Sequence, residues 1–200
     1  MSDFTIGIVL FEDAEELDFV GPWEVFTMAA MSRDDWKVAT VAESTEPIRC
    51  AKGLRVLPDH SFADAPPLDL VLVPGGQGTR REVENPAMLS WLRGVGESAS
   101  WVTSVCTGSY VLHAAGLVKG RRVTTHWGFI ETLREQAPEI QVLEKVRYVR
   151  DGNLVTAAGA SAGIDMSLWL VGQILGVEHA RATQRFMEYD PAPPYAAEVH

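Results

Sequence analysis

Cysteine is scarce in this sequence. Only Cys50 and Cys106 occur among 200 residues. They form no C-x-x-C pair, no zinc-ligand spacing and no disulfide framework. Neither a thioredoxin-type redox motif nor a structural zinc site is therefore expected, and a reducing cytoplasmic compartment fits this composition.

Positively charged residues are also few, and the apolar runs are short. There are 17 Lys and Arg residues against 27 Asp and Glu residues, so the formal net charge is −10. This sign argues against nucleic acid or an anionic membrane surface as a partner. No apolar run approaches the ~20 residues needed to span a bilayer, and the N-terminus lacks the basic region of a signal peptide. We therefore expect a cytoplasmic protein with no membrane association.

The sequence does contain a regular alternation of strand-like and helix-like segments. Apolar or alternating runs predict strands over residues 4–11, 36–42, 54–57, 68–73, 101–105, 122–125, 142–149 and 153–157. Helical spacing predicts helices over residues 17–31, 86–95, 107–118, 127–136, 162–175 and 178–189. The pair Asp151-Gly152 is a strong turn signal and predicts that the last two strands form a hairpin.

This alternation predicts an α/β fold with a mainly parallel sheet sandwiched by helices. No linker, repeat or low-complexity segment interrupts it, so we expect one domain over residues 1–200. In such sheets the functional crevice lies beyond the carboxyl ends of the strands. Three strand ends are candidates, at residues 10–11, 73–76 and 105–107.

Cys106 stands where an apolar strand gives way to a helix, in Val105-Cys106-Thr107-Gly108. In a nucleophile elbow the nucleophile likewise lies at the turn between a strand and a helix, although this sequence is not G-x-S-x-G. The N-terminus of the helix is expected to lower the pKa of the thiol from about 8.5 towards neutrality. The alternative is a buried cysteine that acts as a small apolar side chain. For Cys50 no elbow is present, and an incidental thiol is expected.

Asp18 lies between apolar neighbours in L-D-F-V-G-P, which points its side chain into the interior or a pocket. Beside Cys106, its pKa would be raised and it would shuttle a proton. The alternative is a cap or turn residue before Gly21-Pro22.

Further polar candidates surround these two residues in the sequence. Gly75, Gly76 and Gln77 end an apolar strand, and their N–H groups are suited to a pocket, although the loop also needs glycine for its backbone. Thr107 presents an N–H and a hydroxyl to the same crevice, or caps the helix. His126 is interpreted as a structural histidine near the site more readily than as a general base. Trp23, Trp127 and Tyr195 are predicted pocket walls.

The motifs together resemble the ThiJ/PfpI superfamily, which has the class I glutamine amidotransferase-like, or flavodoxin-like, fold. Five stretches carry the resemblance, in order along nearly the whole chain: L-D-x-x-G-P from Leu17, P-G-G from Pro74, V-C-T-G from Val105, T-T-H-W from Thr124 and E-Y-D-P-x-P-P from Glu188. Within the superfamily, an aspartate in L-D-x-x-G-P combined with C-T-G resembles the isocyanide hydratases. Members with a histidine directly after the nucleophile differ, because Thr107 stands there.

This resemblance implies a homodimeric enzyme that converts a small electrophile, an isocyanide, into an N-substituted formamide. It implies catalytic roles for Cys106, Asp18 and Thr107 and substrate or oxyanion binding by Gly75, Gly76, Gln77 and Thr107. His126 and Trp127 would contact these residues, and not the substrate, and would hold them in position. No metal or organic cofactor is needed, since the thiolate does the covalent work.

Three alternatives stay open from the sequence. The same thiol can act on a dicarbonyl as a glyoxalase or deglycase, for which a glutamate is expected at the Asp18 position. Cys106 can serve as a redox sensor, oxidised to the sulfinic acid. The domain can also bind a small molecule without turnover, as in the sensor halves of AraC-type regulators, although 200 residues leave no room for their helix-turn-helix domain.

Overall fold

The computed structural model describes residues 3–191. Its strands are β1 (Phe4–Val9), β2 (Trp36–Ala42), β3 (Ile48–Arg49), β4 (Arg55–Val56), β5 (His60–Ser61), β6 (Leu70–Val73), β7 (Trp101–Val105), β8 (Arg122–Val123), β9 (Gln141–Val142), β10 (Tyr148–Asp151) and β11 (Leu154–Ala157). Its helices are α1 (Glu16–Ala30), α2 (Thr79–Glu82), α3 (Pro86–Ser98), α4 (Gly108–Ala114), α5 (Ile130–Gln136), α6 (Ala162–Leu175) and α7 (Val177–Phe186), with a 3₁₀ turn at Trp127–Phe129.

A seven-stranded sheet forms the centre of the molecule. Its strand order is β10-β11-β7-β6-β1-β2-β5, and every pair is parallel except β10 with β11. Strands β6 and β11 are buried at every position, as expected for strands covered on both faces. Nearly all of the buried apolar side chains form one connected cluster. The predicted α/β fold with a mainly parallel sheet is confirmed.

The order of the strands places the functional crevice. From β1 the chain moves to β2 on one side of the sheet, and β6, β7 and β11 follow on the other side. The strand order therefore reverses between β1 and β6, the kind of point at which open α/β sheets bind ligands. The carboxyl ends of β1, β6, β7 and β11 lie side by side at this crevice.

Short elements differ from the predictions more than long ones. The hairpin forms around Asp151-Gly152, but its first strand is β10 and not residues 142–149. Residues 141–142 instead pair with β8 in a separate two-stranded sheet. The helix predicted to reach residue 118 ends at Ala114, close to Gly116 with its φ of 81°. Helix α2 and strands β3 and β5 were not predicted.

Among the helices of residues 3–191, none is both long enough and apolar enough to span a bilayer.

Candidate active site

Cys106 occupies the corner between β7 and α4, as predicted. Its φ is 56°, an uncommon value for a residue other than glycine. Hydrogen bonds on both sides hold this conformation. The Cys106 N–H donates to the carbonyl of Ala157 at 3.0 Å, and the Cys106 carbonyl accepts from Thr125 Oγ1 at 2.9 Å and Ser109 Oγ at 3.2 Å. A strained backbone that its surroundings fix in this way is a common feature of functional sites.

Asp18 lies next to the thiol, in the first turns of α1, and is fully buried. Its Oδ2 accepts a hydrogen bond from the Gly75 N–H at 3.0 Å. Its Oδ1 is buried and has no hydrogen-bond partner among residues 3–191. The carboxyl group therefore has one oxygen anchored and one oxygen open for a proton.

The two groups shift each other's protonation. Burial, opposed by the Gly75 N–H and reinforced by Glu15, raises the pKa of Asp18 to about 7, in the predicted direction. Burial and then the charge of Asp18 raise the pKa of Cys106 to about 12, although the Thr107 N–H and hydroxyl lower it. The predicted lowering of the thiol pKa is therefore wrong. The cause is that the helix end acts in a dry site beside a carboxylate.

Two glycines allow the backbone to approach this pair. A Cβ on Gly75 would lie 2.6 Å from Thr107 N, 2.8 Å from Asp18 Oδ2 and 2.8 Å from Cys106 Cβ. A Cβ on Gly159, whose φ is 131°, would lie 3.0 Å from Cys106 Cβ and 3.3 Å from its Sγ. Glycine is thus required on both sides of the thiol. The Gly75 N–H is already engaged by Asp18, so it positions the carboxyl group.

Thr107 connects the thiol to the glycine loop. Its Oγ1 accepts from the Gly76 N–H at 3.2 Å and lies 3.3 Å from the Gly76 carbonyl. The hydroxyl of Thr79, buried in α2, reaches Thr107 Oγ1 at 3.2 Å and donates to the Gly76 carbonyl at 2.8 Å. The side chain of Thr107 therefore bonds to the loop and does not cap α4, for which no side-chain cap is present.

A cavity of about 450 Å³ opens onto these groups. This volume is in the range of small-molecule sites. The lining residues are Glu15, Asp18, Ala51, Gly76, Gln77, Arg80, Cys106, Thr107, His126, Gly128, Phe129 and Ala160.

The sequence analysis predicted the aromatic residues around the cavity less accurately. His126 lines the cavity, and its Nδ1 accepts from the Gly128 N–H at 3.2 Å. Trp127 is 83% exposed, and neither it nor Trp23 lines the cavity, so both predicted walls are wrong. Phe129 supplies the aromatic wall instead, because the 3₁₀ turn directs Trp127 outward. Tyr195 lies outside the described residues.

Sequence reasoning missed several residues at the site, above all Thr79, Arg80 and Gly159. Thr79 and Arg80 belong to α2, which is too short to show helical periodicity. Gly159 stands in A-A-G-A-S-A-G between β11 and α6, and this run of small residues was the available signal. Gly159 lies beside Cys106 because β11 pairs with β7, and the sequence alone does not reveal this pairing.

No metal centre is apparent in the part of the chain that the structure describes. No group of three or more His, Cys, Asp and Glu residues there is arranged to hold an ion. The chemistry available at the site consists of a thiol, a carboxyl group able to hold a proton near neutral pH, and polar groups around a small cavity. These are the parts of nucleophilic catalysis with proton transfer.

Known proteins resemble this chain in sequence and in fold. The chain is 41% identical over 191 residues to the isonitrile hydratase of Pseudomonas putida, covering 95% of this chain and 80% of that protein. It is 28% identical to the glutathione-independent glyoxalase DJR-1.2 of Caenorhabditis elegans, covering 84% and 86%. The crystal structure of a ThiJ/PfpI family protein from Pseudomonas syringae superposes with a TM-score of 0.89 at 33% identity, covering 100% of this chain and 80% of that one. The model of the DJ-1/PfpI family matches residues 5–173, and this protein belongs to that family.

Proposed function

We propose that this protein is an isocyanide hydratase, which converts R–N≡C and water into the formamide R–NH–CHO. The observation that carries the proposal is the pairing of the Cys106 thiol with a buried Asp18 whose Oδ1 has no partner among residues 3–191. The similarity to isonitrile hydratase, the same activity under another name, supports it.

The first step forms a covalent adduct. Because the pKa of Cys106 is raised, Asp18 takes the thiol proton as the sulfur attacks the isocyanide carbon. Asp18, with a pKa of about 7, then returns this proton to the same carbon. The product is a thioimidate, R–N=CH–S–Cys106. A sulfur lone pair forms the C–S bond, the carbon lone pair takes the proton as the C–H bond, and one N–C π bond becomes the nitrogen lone pair.

The second step releases the product. Water adds to the thioimidate carbon while Asp18 accepts a water proton and passes it to the substrate nitrogen. The C–S bond then breaks, the remaining hydroxyl becomes the formyl carbonyl, and its proton returns to sulfur. The Thr107 N–H and hydroxyl, which already favour negative charge on sulfur, stabilise the leaving thiolate.

A second candidate function is a glyoxalase that acts on a dicarbonyl. The observation that favours it is His126, which lines the same cavity as Cys106 and supplies a ring nitrogen for proton transfer to a carbonyl oxygen. The similarity to a glyoxalase agrees with this reading. The absence of a glutamate at position 18 weighs against it.

Turnover of p-nitrophenyl isocyanide, followed by absorbance of the formamide, tests the proposal. The wild type should be active and Cys106→Ala should lose at least about 1000-fold in kcat/KM, since the variant has no nucleophile. Cys50→Ala is the matched control, because Cys50 is a buried thiol outside the cavity, and it should keep its activity. Activity in Cys106→Ala would refute the covalent mechanism. An inactive, folded wild type that consumes methylglyoxal would favour the glyoxalase.

A further inference from the structure

Arg80 lies at the wall of the cavity that contains Cys106. Its Nη1 donates to the carbonyl of Gly76 at 3.1 Å and to Thr79 Oγ1 at 3.0 Å. Its guanidinium carbon stands 4.7 Å from the centroid of the Phe129 ring. The positive charge is therefore held on two sides, by the glycine loop and by an aromatic face.

The contacts of Arg80 leave one edge of the guanidinium unused. Only Nη1 takes part in hydrogen bonds within residues 3–191, so Nε and Nη2 have no partner there. No carboxylate of the described chain lies within 4.0 Å of this side chain either, whereas the neighbouring Arg81 contacts both Asp13 and Glu82. The Nε–Nη2 edge carries two parallel N–H donors, the arrangement that binds a carboxylate through both its oxygens.

The other ionisable groups at the cavity do not neutralise this charge. Glu15 forms an ion pair with Lys52, which reaches it from outside the lining residues. Asp18 is anchored by Gly75 and faces the thiol. Arg80 is exposed to solvent, and its anchored guanidinium beside an open cavity can pair with an anion supplied by the substrate.

We propose that Arg80 selects isocyanides that carry a carboxylate, binding that group while the isocyanide carbon reaches Cys106. The proposal rests on the proposed hydratase function and names its substrate class. A single negative charge fits better than a dianion, because Asp18 and Glu15 line the same cavity. Arg80 is a specificity residue, distinct from the pair that performs the chemistry.

The test compares 4-isocyanobenzoate with its methyl ester, which differ in charge at the far end of the same ring. The measured quantity is the ratio of kcat/KM for acid over ester. The wild type should prefer the acid by about tenfold or more, and Arg80→Gln should lose this preference mainly through a higher KM for the acid. Arg80→Lys keeps the charge without the paired donors and should retain part of the preference.

Arg93→Gln is the matched control, since Arg93 is an exposed residue of α3 that does not line the cavity. The control should keep the wild-type ratio. An equal ratio in wild type and Arg80→Gln would overturn the proposal and leave Arg80 as a structural brace of the glycine loop.

A second measurement separates this proposal from the hydratase itself. Binding of 4-formamidobenzoate and its methyl ester to the Cys106→Ala variant needs no turnover. Tighter binding of the acid that disappears in Cys106→Ala/Arg80→Gln supports the carboxylate site even if no isocyanide is hydrated. Equal binding of acid and ester would overturn it even if isocyanides are hydrated.

Discussion

Asp18 contributes to the candidate active site but lowers the stability of the folded protein. It is a fully buried carboxyl group with one oxygen unpartnered among the described residues. Burial moves its pKa from 3.8 to about 7 in the folded protein. At pH 8 the group is ionised in both states, so the folded state carries the full burial penalty. This difference in pKa corresponds to roughly 4 kcal/mol of lost folding free energy.

We therefore expect Asp18→Asn to stabilise the protein while it removes most of the activity. The asparagine oxygen can still accept the Gly75 N–H, and the variant has no charge to bury. The wild type binds more protons when folded between pH 4 and 7, so its stability falls with rising pH across this range. The gain in free energy of unfolding should consequently be larger at pH 8 than at pH 5, as measured by urea denaturation at both values.

Asp34→Asn provides the control for this experiment. Asp34 is exposed in the loop before β2, and its removal should change the free energy of unfolding little at either pH. If Asp18→Asn gives the same gain at pH 5 and pH 8, the raised pKa of Asp18 is not the cause of the stabilisation.

The sequence predicted the environment of Asp18 better than that of Cys106. Apolar neighbours on both sides of Asp18 indicated a buried acid, and burial dictates the direction of its pKa. For Cys106 the position at a helix start indicated a lowered pKa. Whether that helix end is dry, and whether a carboxylate faces the sulfur, depends on residues far along the chain from Cys106, such as Gly75 and Asp18.

At the scale of elements, the loop after β6 organises the site. Gly75 binds Asp18, and Gly76 binds Thr107, so one loop fixes both the carboxyl group and the residue that follows the thiol. Behind the corner, a Cβ on Gly108 would lie 2.1 Å from the Val73 carbonyl, so α4 also packs directly against the end of β6. The catalytic groups are thus held by backbone contacts.

Gly75→Ala should disrupt the site although the change adds only a methyl group. Two of the three atoms it would meet, Thr107 N and Cys106 Cβ, belong to the corner and cannot rotate away. We expect kcat/KM for p-nitrophenyl isocyanide to fall by about 100-fold or more, since sub-ångström displacement of reacting groups is costly. The melting temperature should fall as well, measured by calorimetry.

Gly94→Ala is the matched control for this substitution. Gly94 lies inside α3, and a Cβ there would meet nothing within 4 Å. Alanine should keep the activity and stabilise the helix by about 1 kcal/mol. Equal activity of Gly75→Ala and the wild type would mean that the loop is not held as tightly as its contacts indicate.

The bounds of several long elements were predictable from the sequence, whereas the short elements α2, β3 and β5 were missed. Strands β2 and β7 and helix α6 have the bounds that periodicity predicts. Helix α2 has four residues and β3 and β5 have two each, too few to show a period. This matters for function because α2 places Arg80 at the cavity wall and Thr79 against the hydroxyl of Thr107.

At the scale of the whole molecule, strand order assembles the site. Asp18 follows β1, Gly75 follows β6, Cys106 follows β7 and Gly159 follows β11, and these strands are neighbours in the order β11-β7-β6-β1. The alternation of strands and helices predicts a parallel sheet in which the carboxyl ends of the strands lie along one edge. It does not predict which ends are adjacent, because that order arises from tertiary packing over the whole chain. The family resemblance implied only that Asp18, Gly75, Gly76, Cys106 and Thr107 share one site, and it did not include Gly159.

Helix α1 also bears on the assembly of the molecule. Its inner face contains buried residues such as Phe19 and Phe26, yet Leu17, Val20 and Trp23 are exposed on another side at 37–41%. A helix that is apolar on more than one side is normally covered on each of them. We propose that a second copy of this chain covers this stripe, in agreement with the homodimer that the family resemblance implies.

Trp23→Glu should therefore shift the protein from dimer to monomer, because it places a charge within the covered stripe. The mass in solution, measured by light scattering over a range of concentrations, checks this expectation. Leu57→Glu is the control, since Leu57 is 66% exposed in a loop and the same charge is added there. If both variants stay dimeric, the contact lies elsewhere. A monomeric wild type would show that the stripe is exposed in solution, and Trp23 would then be an unpaired apolar surface.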